Sequence, residues 1–258
     1  MQTIFITGGA SGIGRAIAQR FAREGWRIAL ADIDEPGMAS TAALLGDVPV
    51  TVHTLDVRDR DAWVTALDAC TAVSGGRLDV LVNNAGIGLG GPLARAQFDA
   101  IDRTIAINLT GVVNGARIGH AYLKRTAGSC LLNTASASAI YGSAGLAVYS
   151  ATKFAVRGLT EALDGEWHAD GIRVRAIVPS FIDTPLLDAV AQGSNRSIRE
   201  TVTAAGMELT AVEAVGDAAW NAVHGDTVLL PVGATARRMT FAARWMPGRL
   251  RRQMRGGR

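Results

Sequence analysis

Short runs rich in β-branched and aliphatic residues alternate along the chain with longer stretches whose apolar positions recur every three or four residues. Residues 3–7, 27–31, 50–55, 80–82, 129–133, 173–178 and 227–230 read as strands. Residues 13–24, 35–45, 61–73, 97–124 and 146–169 read as helices, the fourth with a break near Asn108, and a polar helical segment runs from 185 to about 223. Such alternation needs crossover connections. The pattern therefore predicts a doubly wound parallel sheet covered by helices on both faces, a three-layer α/β/α arrangement.

No internal repeat and no Pro/Gly/Ser linker divides the chain. The expected organisation is one domain over 1–235, with a substrate lid at about 185–223, followed by a basic amphipathic tail over 236–258. With 48% hydrophobic and 19% charged residues among 258, the composition suits an enzyme with a large core. Ligands in such sheets bind beyond the carboxyl ends of the strands, where the strand order reverses.

The first strand leads into Thr7-Gly8-Gly9-Ala10-Ser11-Gly12-Ile13-Gly14. Gly8 permits a sharp turn, Gly12 admits a pyrophosphate without a Cβ in the way, and Gly14 lets the helix pack close to the strand. The helix N-terminus offers N–H groups and a positive dipole end to phosphates. A surface turn also gathers glycine; the place at the first strand–helix junction favours the dinucleotide. Asp32 ends the second strand, eighteen residues past Gly14. Its carboxylate can accept from both hydroxyls of an adenosine ribose and repels a 2′-phosphate. Ser11 and Ile33 offer no cation to receive that phosphate, so NAD is expected over NADP. The plain alternative is a solvated loop aspartate, and Arg15, close to the same pocket, argues against the NAD preference. Asp56, after the third strand, is placed to bond an adenine amino group. Asn83-Asn84-Ala85-Gly86 lets the chain pass near the cofactor, although paired asparagines suit a turn equally well.

Tyr149-Ser150-Ala151-Thr152-Lys153 lies in a predicted helix, where positions four apart share a face. A phenol is a poor base at neutral pH; an ammonium one turn away is expected to lower its pKa. Tyr149 can then exchange a proton with an alcohol or ketone. Lys153 can also hold the nicotinamide ribose. Ser136, thirteen residues before Tyr149, is placed to orient the substrate oxygen, with Ser138 as a near neighbour. Asn108, inside the long fourth helix, reads either as a satisfied buried amide or as the holder of a water in a proton relay to Lys153.

In order and spacing, the Thr-Gly-x-x-x-Gly-x-Gly loop, Asp56, Asn-Asn-Ala-Gly, Asn108, Ser136 and Tyr149/Lys153 resemble the short-chain dehydrogenase/reductase family in its compact single-domain form, from Thr3 to about Thr184. The resemblance implies a Rossmann-like sheet and proton transfer by Tyr149 supported by Lys153, Ser136 and Asn108. It also implies that the segment after Val178 holds the nicotinamide carboxamide. The cofactor contacts expected are Gly8, Ser11, Gly12, Ile13, Gly14, Asp32, Asp56, Val57, Asn83, Ala85, Gly86, Tyr149, Lys153, Pro179, Ile182 and Thr184. Pro179-Ser180 departs from the family's Pro-Gly, and the chain runs on through Pro231-Val232-Gly233 into an Arg-rich end.

The reading is therefore a nicotinamide-dependent oxidoreductase acting on a secondary alcohol or ketone. Leu89, Leu93, Ile140, Leu146, Phe181, Leu186 and Leu187 are the expected pocket formers. No arginine or lysine is obviously aimed among them, so the substrate is expected to be lipophilic and uncharged. A non-catalytic nucleotide sensor or scaffold would show a lost Tyr149 or Lys153, and an epimerase or dehydratase on a nucleotide-linked sugar would need a larger substrate domain. The resemblance implies a homodimer or homotetramer through the outer faces of 97–124 and 146–169. His53, His120, His168 and His224 are scattered and no metal is expected. Cys70 and Cys130 fit packing thiols in a reducing compartment, and with a strand starting at Thr3 the expected location is the cytoplasm.

Charge placement changes one part of this picture. Eight of the 26 basic residues lie at or after Arg237 and no acid follows Asp226, which leaves the body with 18 basic and 23 acidic residues, a formal net of −5. Nucleic acid is not an expected partner. In the tail, Phe241 and Trp245 are four apart, as are Leu250 and Met254, and Pro247-Gly248 should break the helix between them. The tail reads either as a helix packed on its own or a neighbouring subunit, or as a peripheral membrane contact.

Overall fold

The strands carry apolar residues on both faces, which only a sheet covered on both sides can bury. The computed structural model describes residues 1–188, 196–204 and 206–255. Strands β1 (Thr3–Thr7), β2 (Arg27–Asp32), β3 (Val50–Thr54), β4 (Val80–Asn83), β5 (Cys130–Thr134), β6 (Arg173–Pro179) and β7 (Leu229–Val232) form one parallel sheet in the order β3-β2-β1-β4-β5-β6-β7. The helices are α1 (Gly12–Ala22), α2 (Glu35–Ala42), α3 (Arg60–Val73), α4 (Phe98–Ile105), α5 (Gly111–Leu123), α6 (Ala147–Glu166), α7 (Ile198–Ala204), α8 (Val212–His224), α9 (Ala234–Trp245) and α10 (Pro247–Met254). Alternation along the strands sorts the core into two layers. Ile4, Ile6, Leu30 and Val82 face Ile17 and Phe21 of α1 and Val215 and Ala219 of α8. Phe5, Ala29, Leu81 and Leu131 face Trp63 and Leu67 of α3, Leu123 of α5 and Leu163 of α6. This is the expected doubly wound, Rossmann-like fold. The strand order reverses between β1 and β4, which opens the ligand crevice there.

Differences from the expected elements have local causes. The break near Asn108 is a single widened π turn, Ala106–Thr110, within a helix that is otherwise continuous from Phe98 to Leu123; such turns gather at functional sites. Helix α2 stops at Ala42 because the next turn tightens: Leu44 and Leu45 donate to the carbonyls of Thr41 and Ala42, three residues back. The last strand lies two residues later than expected and contains Pro231. Proline is tolerated there because β7 is an edge strand, paired with β6 alone. Of the polar segment after 185, the structure describes a short turn (Pro185–Asp188), α7 and α8; residues 189–195 and 205 lie outside the described residues. The expected boundary at 235 falls inside α9. Ala236 and Met239 of α9 and Leu250 of α10 are buried together with Ala137. The helix is interrupted at Met246, between Trp245 and Pro247, as the proline suggested.

Glycines show where the backbone has no slack. A Cβ on Gly14 would stand 2.0 Å from the Gly8 carbonyl oxygen, whereas one on Gly158 in α6 would meet nothing within 4 Å. Gly14→Ala is expected to cost about 1–3 kcal/mol through overpacking against backbone. Gly158→Ala, on an exposed helical position, is expected to add up to about 1 kcal/mol. Urea unfolding midpoints of the two variants should move in opposite directions.

Candidate active site

The site is assembled by a polar chain at the carboxyl ends of β1, β4 and β5. The Thr7 hydroxyl donates to the Val82 carbonyl at 3.0 Å and accepts the backbone N–H groups of Asn84 and Ala85 at 2.9 and 3.1 Å. That uses its one donor and both acceptor positions. The Asn84 amide nitrogen donates to the carbonyls of Thr7 and Gly8 at 3.0 and 3.4 Å, and its oxygen accepts the Thr134 hydroxyl at 3.2 Å. The Thr134 carbonyl accepts Lys153 Nζ at 2.8 Å. The glycine loop and the lysine of α6 are thereby tied through four residues. Gly8 has φ +67, and a Cβ there would lie 2.8 Å from Asn84 Nδ2, so only glycine permits both the turn and the clamp.

Above this chain opens a cavity of ≈ 560 Å³. Its cofactor wing is lined by Gly8, Ser11, Gly12, Ile13, Asp32, Asp56, Val57, Ala85 and Gly86. Ser11 caps α1 without a side-chain hydrogen bond, which leaves the orphan N–H groups of the first turn without a side-chain acceptor there. Asp32 Oδ2 accepts the Ala10 N–H at 3.1 Å and Oδ1 accepts those of Ile33 and Asp34 at 2.8 and 3.2 Å. The carboxylate is thus held still at the end of β2. Arg15 turns away from it: its guanidinium donates to the Thr41 hydroxyl at 2.9 Å and to the Ala10 carbonyl at 2.7 Å. Thr184, with Pro179 and Ile182, closes the far side; a Cβ on Gly12 (φ +51) would come within 3.4 Å of the Thr184 methyl. This combination of a bare helix N-terminus, a glycine floor and a fixed carboxylate fits a dinucleotide.

Gly14 and Asn83, named with the same group, do not reach the cavity. Gly14 packs on Gly8, and Asn83 is buried, donating to the Val112 carbonyl and to Asn133 Oδ1 at 3.2 and 3.1 Å. Asn84 lines the wall instead. Asp56 is also not idle. Arg58 binds both of its oxygens, at 2.9 and 3.0 Å from Nε and 2.5 Å from Nη2, and holds its carboxyl below the usual range.

The chemical wing holds Tyr149, Lys153, Ser136 and Ser138. Ser136 Oγ accepts the Ser138 N–H at 3.1 Å, which leaves its own proton to donate. The expected effect of Lys153 on Tyr149 is not seen. Burial pushes the phenol up, and the nearby Ser136 hydroxyl opposes that rise. Lys153 Nζ lies 5.8 Å from the Tyr149 ring centroid and is engaged by Thr134; burial draws its pKa down to about 8. Desolvation outweighs attraction between the two groups. Asn108 is fully buried and stands behind the wall: it donates to the Ile87 carbonyl and accepts the Ile87 N–H, both at 2.8 Å. The amide clamps the loop after β4, in the manner of a satisfied buried group.

Leu89, Leu146, Phe181, Leu186 and Leu187 line the rest of the cavity. Leu93 and Ile140 do not: Leu93 is exposed in a short turn (Leu93–Arg95), and Ile140 packs beneath α9 and α10. Two arginines that the sequence reading left out, Arg58 and Arg103, reach the wall, as do Ser180 and Ile198. Arg103 lines the wall from α4 and Ile107 from the π turn that follows it. Among the described residues no group of three His, Cys, Asp or Glu is placed to hold a metal. Cys70 and Cys130 are buried with pKa values pushed up to about 12 by desolvation.

Comparison with known proteins agrees with this geometry. Residues 2–195 match the model of the short chain dehydrogenase family. The chain is 38% identical over 188 residues to a 3-alpha-(or 20-beta)-hydroxysteroid dehydrogenase of Mycobacterium tuberculosis, covering 72% of this chain and 71% of that protein. It is 37% identical over 188 residues to the probable oxidoreductase EphD of the same organism, covering 71% of this chain; the match spans 31% of EphD, about a third of its length. A short chain dehydrogenase/reductase of Burkholderia phymatum, solved in complex with NAD, superposes with a TM-score of 0.85 at 25% identity, covering 98% of this chain and 95% of that one. Structural neighbours hold NAD or NADPH.

Asn84→Ala would strip partners from the Thr134 hydroxyl and from the carbonyls of Thr7 and Gly8. A loss of about 1–3 kcal/mol is expected, together with weaker NADH binding measured by fluorescence titration. Unchanged values of both would show that the strand ends hold without the clamp.

Proposed function

The chain belongs to the short-chain dehydrogenase family, and on that premise we propose that it is an NAD-preferring oxidoreductase acting on lipophilic, uncharged secondary alcohols or ketones. The observation that carries the reading is the meeting of Tyr149, Ser136 and Lys153 with the glycine floor and Asp32 on one apolar-lined cavity. Gly8, Ser11, Gly12 and Ile13 would hold the pyrophosphate, Asp32 the adenosine ribose, and Pro179, Ile182 and Thr184 the nicotinamide end. When bound, the nicotinamide supplies the acceptor or donor of the hydride.

The chain's own residues handle the proton. Ser136 donates to the substrate oxygen and fixes its position. Tyr149, kept protonated near neutral pH by burial, is the proton donor in ketone reduction. In alcohol oxidation the phenol must first lose its proton, so that direction should speed up as pH rises. Lys153 anchors the Tyr149 face of α6 to β5 through Thr134. Asn108 acts through Ile87 by fixing the loop that walls the cavity.

NAD is preferred because Asp32 repels a 2′-phosphate and Arg15 is committed to Thr41 and Ala10. Leu89, Leu146, Phe181, Leu186 and Leu187 on the wall support a lipophilic substrate, and the name of the hydroxysteroid relative points the same way. The lining arginines Arg58 and Arg103 act on the Asp56 carboxylate. We further propose a homodimer or homotetramer through the outer faces of α4–α5 and α6, where Phe98, Val113 and Phe154 are exposed. Two free thiols, both buried, suit a reducing compartment such as the cytoplasm.

Tyr149→Phe should leave NADH affinity within a few-fold and cut turnover by ~100-fold or more, and the residual oxidation rate should no longer climb with pH. Near-wild-type turnover would remove Tyr149 from the mechanism. Asp32→Ala should narrow the ratio of kcat/KM for NAD over NADP; a wild-type enzyme that already favours NADP would overturn the role given to Asp32.

A further inference from the structure

The last two helices separate packing from exposure. Ala236, Met239 and Leu250 are buried against Ala137, with Ile140, Tyr141 and Met254 packed around them. The outward face of α9 carries what this packing does not use. Phe241 and Trp245, 58% and 64% exposed, lie four residues apart on that helix. Arg237, Arg238 and Arg244 are exposed with them, and the Arg244 guanidinium stacks 5.3 Å from the Trp245 ring centroid. Arg249, Arg251, Arg252 and Arg255 extend the same sign of charge along and beyond α10, and no acid follows Asp226. An apolar pair framed by cations is thus left on a helix whose inner side is already filled.

We propose that this outer face of α9 docks on an anionic lipid bilayer. Charge complementarity selects the occupant. A second copy meeting this face about a two-fold axis would set Arg237, Arg238 and Arg244 against themselves. An anionic headgroup layer takes the guanidinium groups, each worth ~1 kcal/mol near the surface, and exposed Phe and Trp rings suit the interfacial zone just beneath it. Among the described residues no helix is long and apolar enough to cross a membrane, and the contact proposed is a peripheral one. The docked helix packs over the segment whose Ser136 and Ser138 line the cavity. A bilayer would therefore lie beside the site that takes the proposed lipophilic substrate, although docking itself does not depend on the catalytic reading.

The test uses the full chain, because the inner faces of α9 and α10 belong to the core and truncation would unfold it. Wild type should sediment with vesicles of phosphatidylcholine mixed equally with phosphatidylglycerol, release as salt is raised, and ignore phosphatidylcholine alone. Tryptophan emission should shift to the blue on binding, since Trp26, Trp63 and Trp167 are already buried, Trp220 is half-buried against Phe21, Trp26 and Arg20, and Trp245 is exposed; Trp245→Phe should abolish most of that shift. Phe241→Ser with Trp245→Ser, and separately Arg237→Gln with Arg238→Gln and Arg244→Gln, should each weaken binding more than ~10-fold. Thermal midpoint and turnover on a water-soluble alcohol should be retained. No sedimentation of wild type, or equal sedimentation of the double-serine variant, would overturn the proposal. So would a fall in light-scattering mass in that variant, which would assign the face to a second copy of the chain.

Discussion

The Asn84 side chain joins three strand ends: it donates to the carbonyls of Thr7 and Gly8 and accepts from Thr134, whose carbonyl holds Lys153. Few positions in a parallel sheet allow this. The carboxyl ends of neighbouring strands leave carbonyls without ladder partners, and between β1 and β4 the crossovers depart in opposite directions, leaving a gap. A single amide fills it with both of its polar atoms. The glycine turn, the loop after β4 and the start of the loop after β5 are then fixed relative to one another before any ligand binds. Preorganisation of this kind is what a dinucleotide site and a proton-transfer group need from a scaffold.

The same burial that makes the clamp strong sets the chemistry. Away from water, Lys153 is drawn down to about 8 and the Tyr149 phenol is pushed up. Lys153 Nζ is held by the Thr134 carbonyl, and the raised phenol suits the proton-donor role proposed for Tyr149. Ser136 is the group that pulls the phenol the other way.

The layers of this fold were readable from hydrophobic alternation, because parallel strands buried on both faces leave no polar pattern to mislead. Tyr149, Lys153 and Ser136 were readable too, since helical spacing and a strand end place them without reference to distant residues. What escaped depends on side-chain direction. Asn83 and Asn84 are adjacent and chemically identical, but Asn83 ends the strand facing Val112 and Asn133, and Asn84 turns back over Thr7. Arg15 lies close to the same pocket in sequence terms, and only the structure shows its guanidinium committed to Thr41 and Ala10. Arg103 and Ile107 reach the cavity from α4 and the π turn after it, a placement set by how that helix packs. The apolar face of the tail is legible from its spacing, but that Leu250 packs with Ala137, a contact between residues more than a hundred positions apart, is something no local pattern encodes.

The proposed chemistry is the transfer of a hydride between the carbinol carbon of an alcohol and a nicotinamide in this cavity. It is tested most directly by supplying NAD with a panel of lipophilic secondary alcohols deuterated at the carbinol carbon, and weighing the NADH formed by mass spectrometry. One deuterium on the nicotinamide ring, with slower turnover than for the undeuterated alcohol, is the predicted result. NADH that carries no deuterium, or no NADH from any member of the panel, would contradict it.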